Sequence, residues 1–565
     1  MSGYASVVLT HSSLSHLDRE FTYRVPADMV LGIGARVRVP FRRKKRDGIV
    51  VALLEESDVE RTFSIAEILG PGLDEPTVEL CRWVASNYLS TLGEALAAAE
   101  PDRVVEEESA ELPGSAAMPE RSLAWLDRYH GGAEVRRASG GGRFAGFSWR
   151  PGPEKATEIA ALAASAAAGG RGVLVLVPEV RVGGETVEAM GELGDAVAWL
   201  GSDRSTRDRY RDWLALRAGA KRIAVGGRAA VWAPVQHLGL VIVDDEAHVS
   251  YKERRAPRIN ARPVAHERAR RAGAVFIAVG TPPSVEAGAA VERGSLASVT
   301  MTRAELMRSR PPVSVVDRSR EPSTHVPHAD TLRRCRAALE AGKRVVLLSH
   351  RGGDAARSIA SRTFKVLGPK TSARLDARTP PEALADAIAN ADCIVATPVI
   401  AKDVTLEGVG VVAIVEADAA LSVPEFRGTE EAFSTWWHIA PWAAGIVVET
   451  ADPRHPAITA LVRWDVEALY SFESSRRKET GYPPFASLAR IDAPAARASE
   501  AAEAVRAALP TGEVLGPLER GGRAVVVART KKRSDLLDGL RPLVDRWRAA
   551  GEPFRVDVDP REVLP

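Results

Sequence analysis

The stretch Leu240-Val241-Ile242-Val243-Asp244-Asp245-Glu246-Ala247-His248 decides the architecture. Four consecutive apolar, mostly β-branched residues that run into acids have the length and composition of a strand buried on both faces. In an open α/β sheet, ligands bind beyond the C-terminal ends of such strands. Acids delivered there suit a nucleotide hydrolase, in which the first holds Mg²⁺ and the next positions water. A solvated acidic strand end reads the same way.

The alternation continues on both sides of this strand. Residues 155–168 are alanine-rich and helical, 172–177 form an apolar run that stops at Pro178, and 207–218 read as a helix. Strands are expected at 222–225, 238–243 and 275–279, so helices alternate with buried strands and a parallel sheet follows. The pattern recurs downstream: a helix at 331–341, a strand at 344–348, a helix, then strands at 393–396, 411–415 and 445–450. No sequence repeat links the two blocks. Ahead of them lie short strand-like runs at 5–9, 21–25, 35–40 and 48–54, closed by a helix over 75–89 with Val78, Cys81, Val84, Ala85 and Tyr88 on one face. The region 101–150 changes character, with an acidic run at 106–111, a proline-bracketed stretch and glycines at 140–142, and reads as a linker with a little helix. After Tyr482-Pro483-Pro484, short strand and helix patterns end in a strand at 554–558. The expected organisation is a β-rich domain at 1–105, a linker with a short helix at 106–147, α/β lobes at 148–325 and 326–465, and an α+β domain at 466–565.

A length of 565 residues fits several domains. The net charge of +2, from 76 basic and 74 acidic residues, excludes a globally basic chain and an acidic tail protein but leaves room for a local basic patch. Cys81, Cys335 and Cys393 are far apart with no CxxC, which excludes a disulfide scaffold and a cysteine-rich zinc site and fits a reducing cytoplasm. The N-terminus lacks a signal-peptide pattern, and no apolar run has the length of a membrane span.

A nucleotide site also needs a phosphate cradle. Ahead of the first lobe's helix the chain reads Arg150-Pro151-Gly152-Pro153-Glu154-Lys155-Ala156-Thr157. Two prolines remove amide donors, one glycine replaces a glycine-rich loop, and Glu154 repels phosphate, while Lys155 and Thr157 survive as residue types at the wrong spacing. An ordinary helix N-terminus accounts for the same residues. Arg36-Val37-Arg38-Val39-Pro40-Phe41-Arg42-Arg43-Lys44-Lys45-Arg46 concentrates positive charge on a strand and a turn, which suits phosphate contacts or a solvated hairpin tip. Phe21 and Tyr23 share a strand face, as a base-stacking platform or as core. Lys531 and Lys532 form a second basic turn. The histidines show no metal-ligand spacing, and no serine or cysteine nucleophile signature is present.

Taken in order, the segments resemble the primosomal protein N′ (PriA) family. The resemblance rests on Leu17-Asp18-Arg19-Glu20-Phe21-Thr22-Tyr23-Arg24-Val25-Pro26, on Gly34–Phe41, and on Leu174-Val175-Leu176-Val177-Pro178-Glu179-Val180. Further on it rests on the acidic strand end with Ser250-Tyr251-Lys252, Val399-Ile400-Ala401-Lys402, Glu416-Ala417-Asp418 and Pro424-Glu425-Phe426-Arg427. Its most specific stretches are Glu479-Thr480-Gly481-Tyr482-Pro483-Pro484-Phe485 and Arg555-Val556-Asp557-Val558-Asp559-Pro560. The resemblance implies two RecA-like helicase lobes between an N-terminal β-rich domain that binds DNA 3′ ends and a C-terminal α+β domain. It implies a replication restart protein that binds abandoned forks and promotes primosome assembly and helicase reloading.

The chain departs from the family pattern at several points. It lacks the phosphate loop, the second lobe's arginines (Ile439–Gly445 holds none), the eight-cysteine zinc module and room for the winged-helix domain, and it reads Phe21-Thr22-Tyr23 where the family shows Phe-Asp-Tyr. The expectation is therefore a helicase-shaped protein without helicase activity of its own, with Asp244 and Glu246 as vestigial acids and Lys155 and Thr157 as remnants of a nucleotide site. DNA contacts are expected from Phe21, Tyr23, Arg36, Arg38, Arg42, Arg43, Lys44, Lys45, Lys531 and Lys532. No cofactor is expected: ATP with magnesium lacks its cradle and zinc its cysteines. The implied partners are forked and single-stranded DNA, primosome and helicase-loading proteins and the single-stranded-DNA-binding protein, with no membrane. An active 3′→5′ helicase with an unorthodox phosphate loop and a pure protein scaffold are the alternatives.

Overall fold

The computed structural model describes all residues except 1–2, 11–17, 113, 115–117, 119–120, 179–183, 321–325, 399, 401–405 and 565. Of the stretches that carry the resemblance, Leu17, Glu179, Val180, Val399, Ala401 and Lys402 lie outside the described residues.

Four sheets organise the chain. The first is antiparallel, in the spatial order Phe21–Arg24, Tyr4–Leu9, Lys44–Leu54, Arg36–Phe41, Glu67–Ile68. Its two edges meet through residues 63–65, where the Arg24 amide donates to Phe63 O (2.9 Å) and the Ile65 amide to Arg24 O (3.0 Å). The helix Glu75–Asn87 follows, opened by Asp74, whose carboxylate accepts from the Thr77 amide. Val78, Cys81, Val84, Ala85 and Tyr88 are buried, as the helical spacing predicts.

The first lobe is an eight-stranded sheet in the order Tyr129–His130, Ala297–Met301, Ala145–Arg150, Val275–Val279, Leu238–Val243, Gly172–Leu176, Ile223–Gly226, Val197–Trp199. All pairs are parallel except that between Tyr129–His130 and Ala297–Met301. The second lobe is a six-stranded parallel sheet, Val313–Asp317, Ala443–Thr450, Val409–Ile414, Arg344–Leu348, Cys393–Ala396, Ser372–Leu375. Helices cover both, and the lobes are RecA-like. The C-terminal domain is a four-stranded antiparallel sheet, Glu513–Arg520, Arg523–Thr530, Ser487–Pro494, Arg555–Val558, with helices Ala498–Ala508 and Arg533–Ala549.

The helix Lys155–Ala168 and the strands Val275–Val279, Arg344–Leu348 and Cys393–Ala396 fall where the sequence places them. The region 106–147 does not behave as a linker with a short helix. It supplies the strand Tyr129–His130, the helix Gly132–Ser139 and the start of Ala145–Arg150. Its polar composition hides a few strong anchors: Trp125 stacks on Trp149 with centroids 5.6 Å apart, and Leu126, Tyr129 and Val135 are buried. Likewise Val313–Asp317, assigned from sequence to the first lobe, pairs with Ala443–Thr450 of the second, so the crossing between lobes precedes residue 313.

Candidate nucleic-acid interface and the cleft between the lobes

The acidic strand ends at Val243 in the crevice expected for a ligand, but its acids part company there. Asp244 is buried; its carboxylate pairs with Lys155 Nζ at 2.9 Å and accepts from Thr186 Oγ1 at 2.6 Å. Asp245 then takes a left-handed conformation, φ 44°. Glu246 is thereby turned the other way. It accepts from the Ser284 amide (2.6 Å) and Ser284 Oγ (3.0 Å) and forms an ion pair with Arg262. Asp244 and Glu246, expected as one pair, thus serve two separate centres.

Lys155 does reach the acid despite its spacing. Burial opposes its charge, the Asp244 carboxylate overrides that, and its pKa lies above the usual value. Thr157 does not join it: its hydroxyl donates to Glu154 O (3.0 Å) and the residue is exposed. Thr186, which no motif marks, occupies the place beside Asp244. The amides ahead of Lys155 are not a cradle. Pro151 and Pro153 have none to offer, and Gly152 N–H donates to Tyr129 Oη at 2.9 Å. That hydroxyl in turn donates to Glu158 (2.8 Å), and Arg128 bridges Glu158 (2.5 Å) and Glu154 (2.8 Å). Burial raises the Glu158 pKa. The donor set does not fit a triphosphate, because its one glycine amide is spent on Tyr129 and its two prolines have no amide.

From the second lobe His438 faces this centre. Burial lowers its pKa against the pull of Asp245; Lys155 adds to the lowering, and Glu185 and Asp244 oppose it. It immediately precedes the arginine-free stretch Ile439–Gly445. Among the described residues no group of three or more His, Cys, Asp or Glu is arranged to hold a metal ion, and the three cysteines are free and buried.

The basic hairpin is the accessible feature of the N-terminal domain. Phe41 pairs with Lys44, leaving Arg42 and Arg43 as a two-residue turn with φ 44° and 64°. Both positive angles make it the twist-matched turn for which Asn-Gly is the usual choice. Arg42, Arg43, Lys44 and Lys45 are exposed, and among the described residues no carboxylate pairs with them. The strand beneath is different. Arg36 is buried in an ion pair with Glu100 (2.8 Å), and Arg38 pairs with Asp47 (2.9 Å) and Glu67 (3.3 Å). Tyr23 is core: its ring packs among Val37 and Val39, its hydroxyl donates to Pro40 O (3.0 Å), and burial pushes its pKa up to about 12. Phe21 lies edge-on to Phe41 at 5.2 Å and is half-buried. The alternation is as expected, but closure of the sheet edges turns the Phe21 and Tyr23 face inward, which removes Tyr23 as a stacking platform and Arg36 as a free phosphate contact. Lys531 and Lys532 are exposed just ahead of the helix Arg533–Ala549.

Paired RecA-like lobes between a β-rich and an α+β domain define a helicase-fold protein. Residues 6–101 match the PriA family's 3′ DNA-binding domain (3′BD), and residues 478–561 match the primosomal protein N C-terminal domain. The probable replication restart protein PriA of Mycobacterium tuberculosis H37Rv is 29% identical over 592 residues, covering 90% of each chain. The replication restart protein PriA of Treponema pallidum is 28% identical over 656 residues, covering 97% of this chain and 98% of its own. Over nearly its whole length the chain is similar to replication restart proteins PriA, and its residues 6–101 match that family's 3′ DNA-binding domain. Among solved structures, RecG bound to a three-way DNA junction is similar with TM-score 0.41 and 15% identity, over 62% of this chain and 46% of that one. S. cerevisiae Dbp5 bound to RNA and ADP BeF3 is similar with TM-score 0.38 and 9% identity, over 59% of this chain and 88% of that one.

Proposed function

We propose that this protein binds abandoned or stalled replication forks in the cytoplasm and promotes primosome assembly and reloading of the replicative helicase, without unwinding DNA itself. The exposed, unpaired basic hairpin Arg42–Lys45 on a matched 3′ DNA-binding domain carries the DNA half of this reading. Lys531, Lys532 and Phe21 are candidate further contacts. Phosphate contacts of this kind give salt-dependent binding with little sequence preference. Its protein partners would be primosome and helicase-loading proteins and the single-stranded-DNA-binding protein. The spent Gly152 amide and the Lys155–Asp244 pair support operation without ATP hydrolysis.

A second reading has one observation in its favour. A lysine at a helix start paired to the acid at a strand end is also how a working phosphate-loop lysine would rest, so an ATP-driven 3′→5′ helicase with an unorthodox loop is the alternative. The deciding experiment measures ATP hydrolysis by the purified chain with and without a fork carrying a leading-strand 3′ end, reading binding by anisotropy in the same samples. Binding without hydrolysis is expected. Fork-stimulated hydrolysis abolished by Lys155→Ala would establish the motor instead, and equal or absent affinity for forked and linear DNA would leave a protein scaffold.

A further inference from the structure

We propose that side chains, in place of nucleotide, hold the two lobes closed: a buried ionic lock joins the first lobe, the second lobe and the helix Val466–Thr480 into one rigid body. Four charges form its centre. Glu286 lies on the first-lobe helix Val285–Glu292; Arg427 and Glu430 lie at the start of the second-lobe helix Gly428–Ile439; Arg477 lies on Val466–Thr480. Arg477 stands 2.7 Å from Glu430 and 3.8 Å from Glu286, and its side chain is 1% exposed. Arg427 pairs with Glu286 and lies 3.4 Å from Glu430. Arg427 and Arg477, with Arg262 beside Glu286, hold both carboxylates below their usual pKa against the pull of burial, and Arg477 also pairs with the buried Glu473 at 3.3 Å.

The lock is also wired to the acidic strand. Glu430 accepts from the Val285 amide at 2.7 Å, so a second-lobe carboxylate satisfies the N-terminus of a first-lobe helix. The preceding residue, Ser284, is the partner of Glu246. Tyr470 donates to Pro283 O on the same turn. A second tie runs through the C-terminal segment: Arg561 donates to Ala247 O (2.9 Å) and pairs with Glu431 (2.8 Å), while the Val563 and Leu564 amides donate to Glu425 (3.1 and 3.0 Å). Opening the cleft would strand buried charges on both lobes at once, which is the expensive way to lose a buried pair. A ligand shifts such an equilibrium only by its differential affinity for the two states. A cleft already shut leaves nucleotide no closure to drive.

This deepens the non-motor reading above and rests on it. The test uses the full chain with spin labels at Glu192→Cys and Lys365→Cys, exposed sites on the two lobes, the native cysteines being buried. Electron double resonance should give one narrow inter-label distance, unchanged by magnesium with a non-hydrolysable ATP analogue or by forked DNA. Glu430→Gln and, separately, Arg477→Met should broaden it towards longer distances. A wild-type distance that moves with nucleotide, or folded variants that both keep the narrow distance, overturns the lock. If neither variant folds, the nucleotide arm on the labelled parent decides alone. Hydrolysis in the same samples separates the two ideas: turnover at a fixed distance refutes the non-motor reading but not the lock, and movement without turnover does the reverse.

Discussion

The turn Arg42-Arg43 sets stability against binding, and the trade can be measured. Both residues hold positive φ, 44° and 64°, in a turn that favours Asn-Gly. A left-handed conformation costs an ordinary L-residue roughly 1–2 kcal/mol, and glycine almost nothing. The double variant Arg42→Asn/Arg43→Gly removes most of that strain and loses the contact of Arg42 over the Phe41 ring (5.6 Å). A net gain of about 1 kcal/mol is expected in the N-terminal domain. Because a multidomain melt does not report one free energy, hydrogen exchange of the Lys44–Leu54 amides in the full chain is the better reading. Those amides should exchange about fivefold more slowly. Fork binding should move the opposite way. Each phosphate contact contributes about 0.9 to the slope of log K against log salt, so losing two should lower it by about 1.8. Between about 50 and 200 mM salt the parent should therefore lose about tenfold more affinity than the variant. An unchanged slope would show that the tip does not touch phosphate. Faster exchange would show that the turn is not strained.

The cleft yields three further expectations. Lys155→Met should leave fork affinity unchanged yet destabilise the first lobe by about 3 kcal/mol, because Asp244 stays buried without its cation; hydrogen exchange of the Leu238–Val243 amides beside anisotropy checks both. Tyr129→Phe strands the Gly152 amide and removes a donor to Glu158, which should cost about 1–2 kcal/mol in the same exchange measurement. His438 is held neutral by burial, so its folded pKa lies below the unfolded value near 6.5. The unfolded chain then takes up the proton first, and stability present above about pH 6.5 is lost as pH falls through the folded pKa. His438→Gln should flatten that part of the pH–stability profile, and an identical profile would mean that the imidazole is not shielded.

The sequence by itself determined the local elements. Val241, Ile242 and Val243 make a buried strand because nothing in them can face water, and Lys155–Ala168 is a helix because its alanines lose little entropy there. Alternation correctly put Arg36 and Arg38 opposite Val37 and Val39, since that period belongs to the backbone. Which face is inward does not. Only closure of the first sheet through residues 63–65 buries Tyr23, and only the approach of Glu100 takes Arg36 out of use. The left-handed Asp245 likewise sends Asp244 and Glu246 to different partners, although it is the one residue between them in the sequence. Tyr129 is 23 residues from the amide it caps, and Arg477 is 47 from the glutamate it holds. Periodicity and propensity are short-range, so they reveal strands and helices. Buried charges are matched only once distant segments are brought together, so the spent phosphate loop and the tie between the lobes exist only in the tertiary structure.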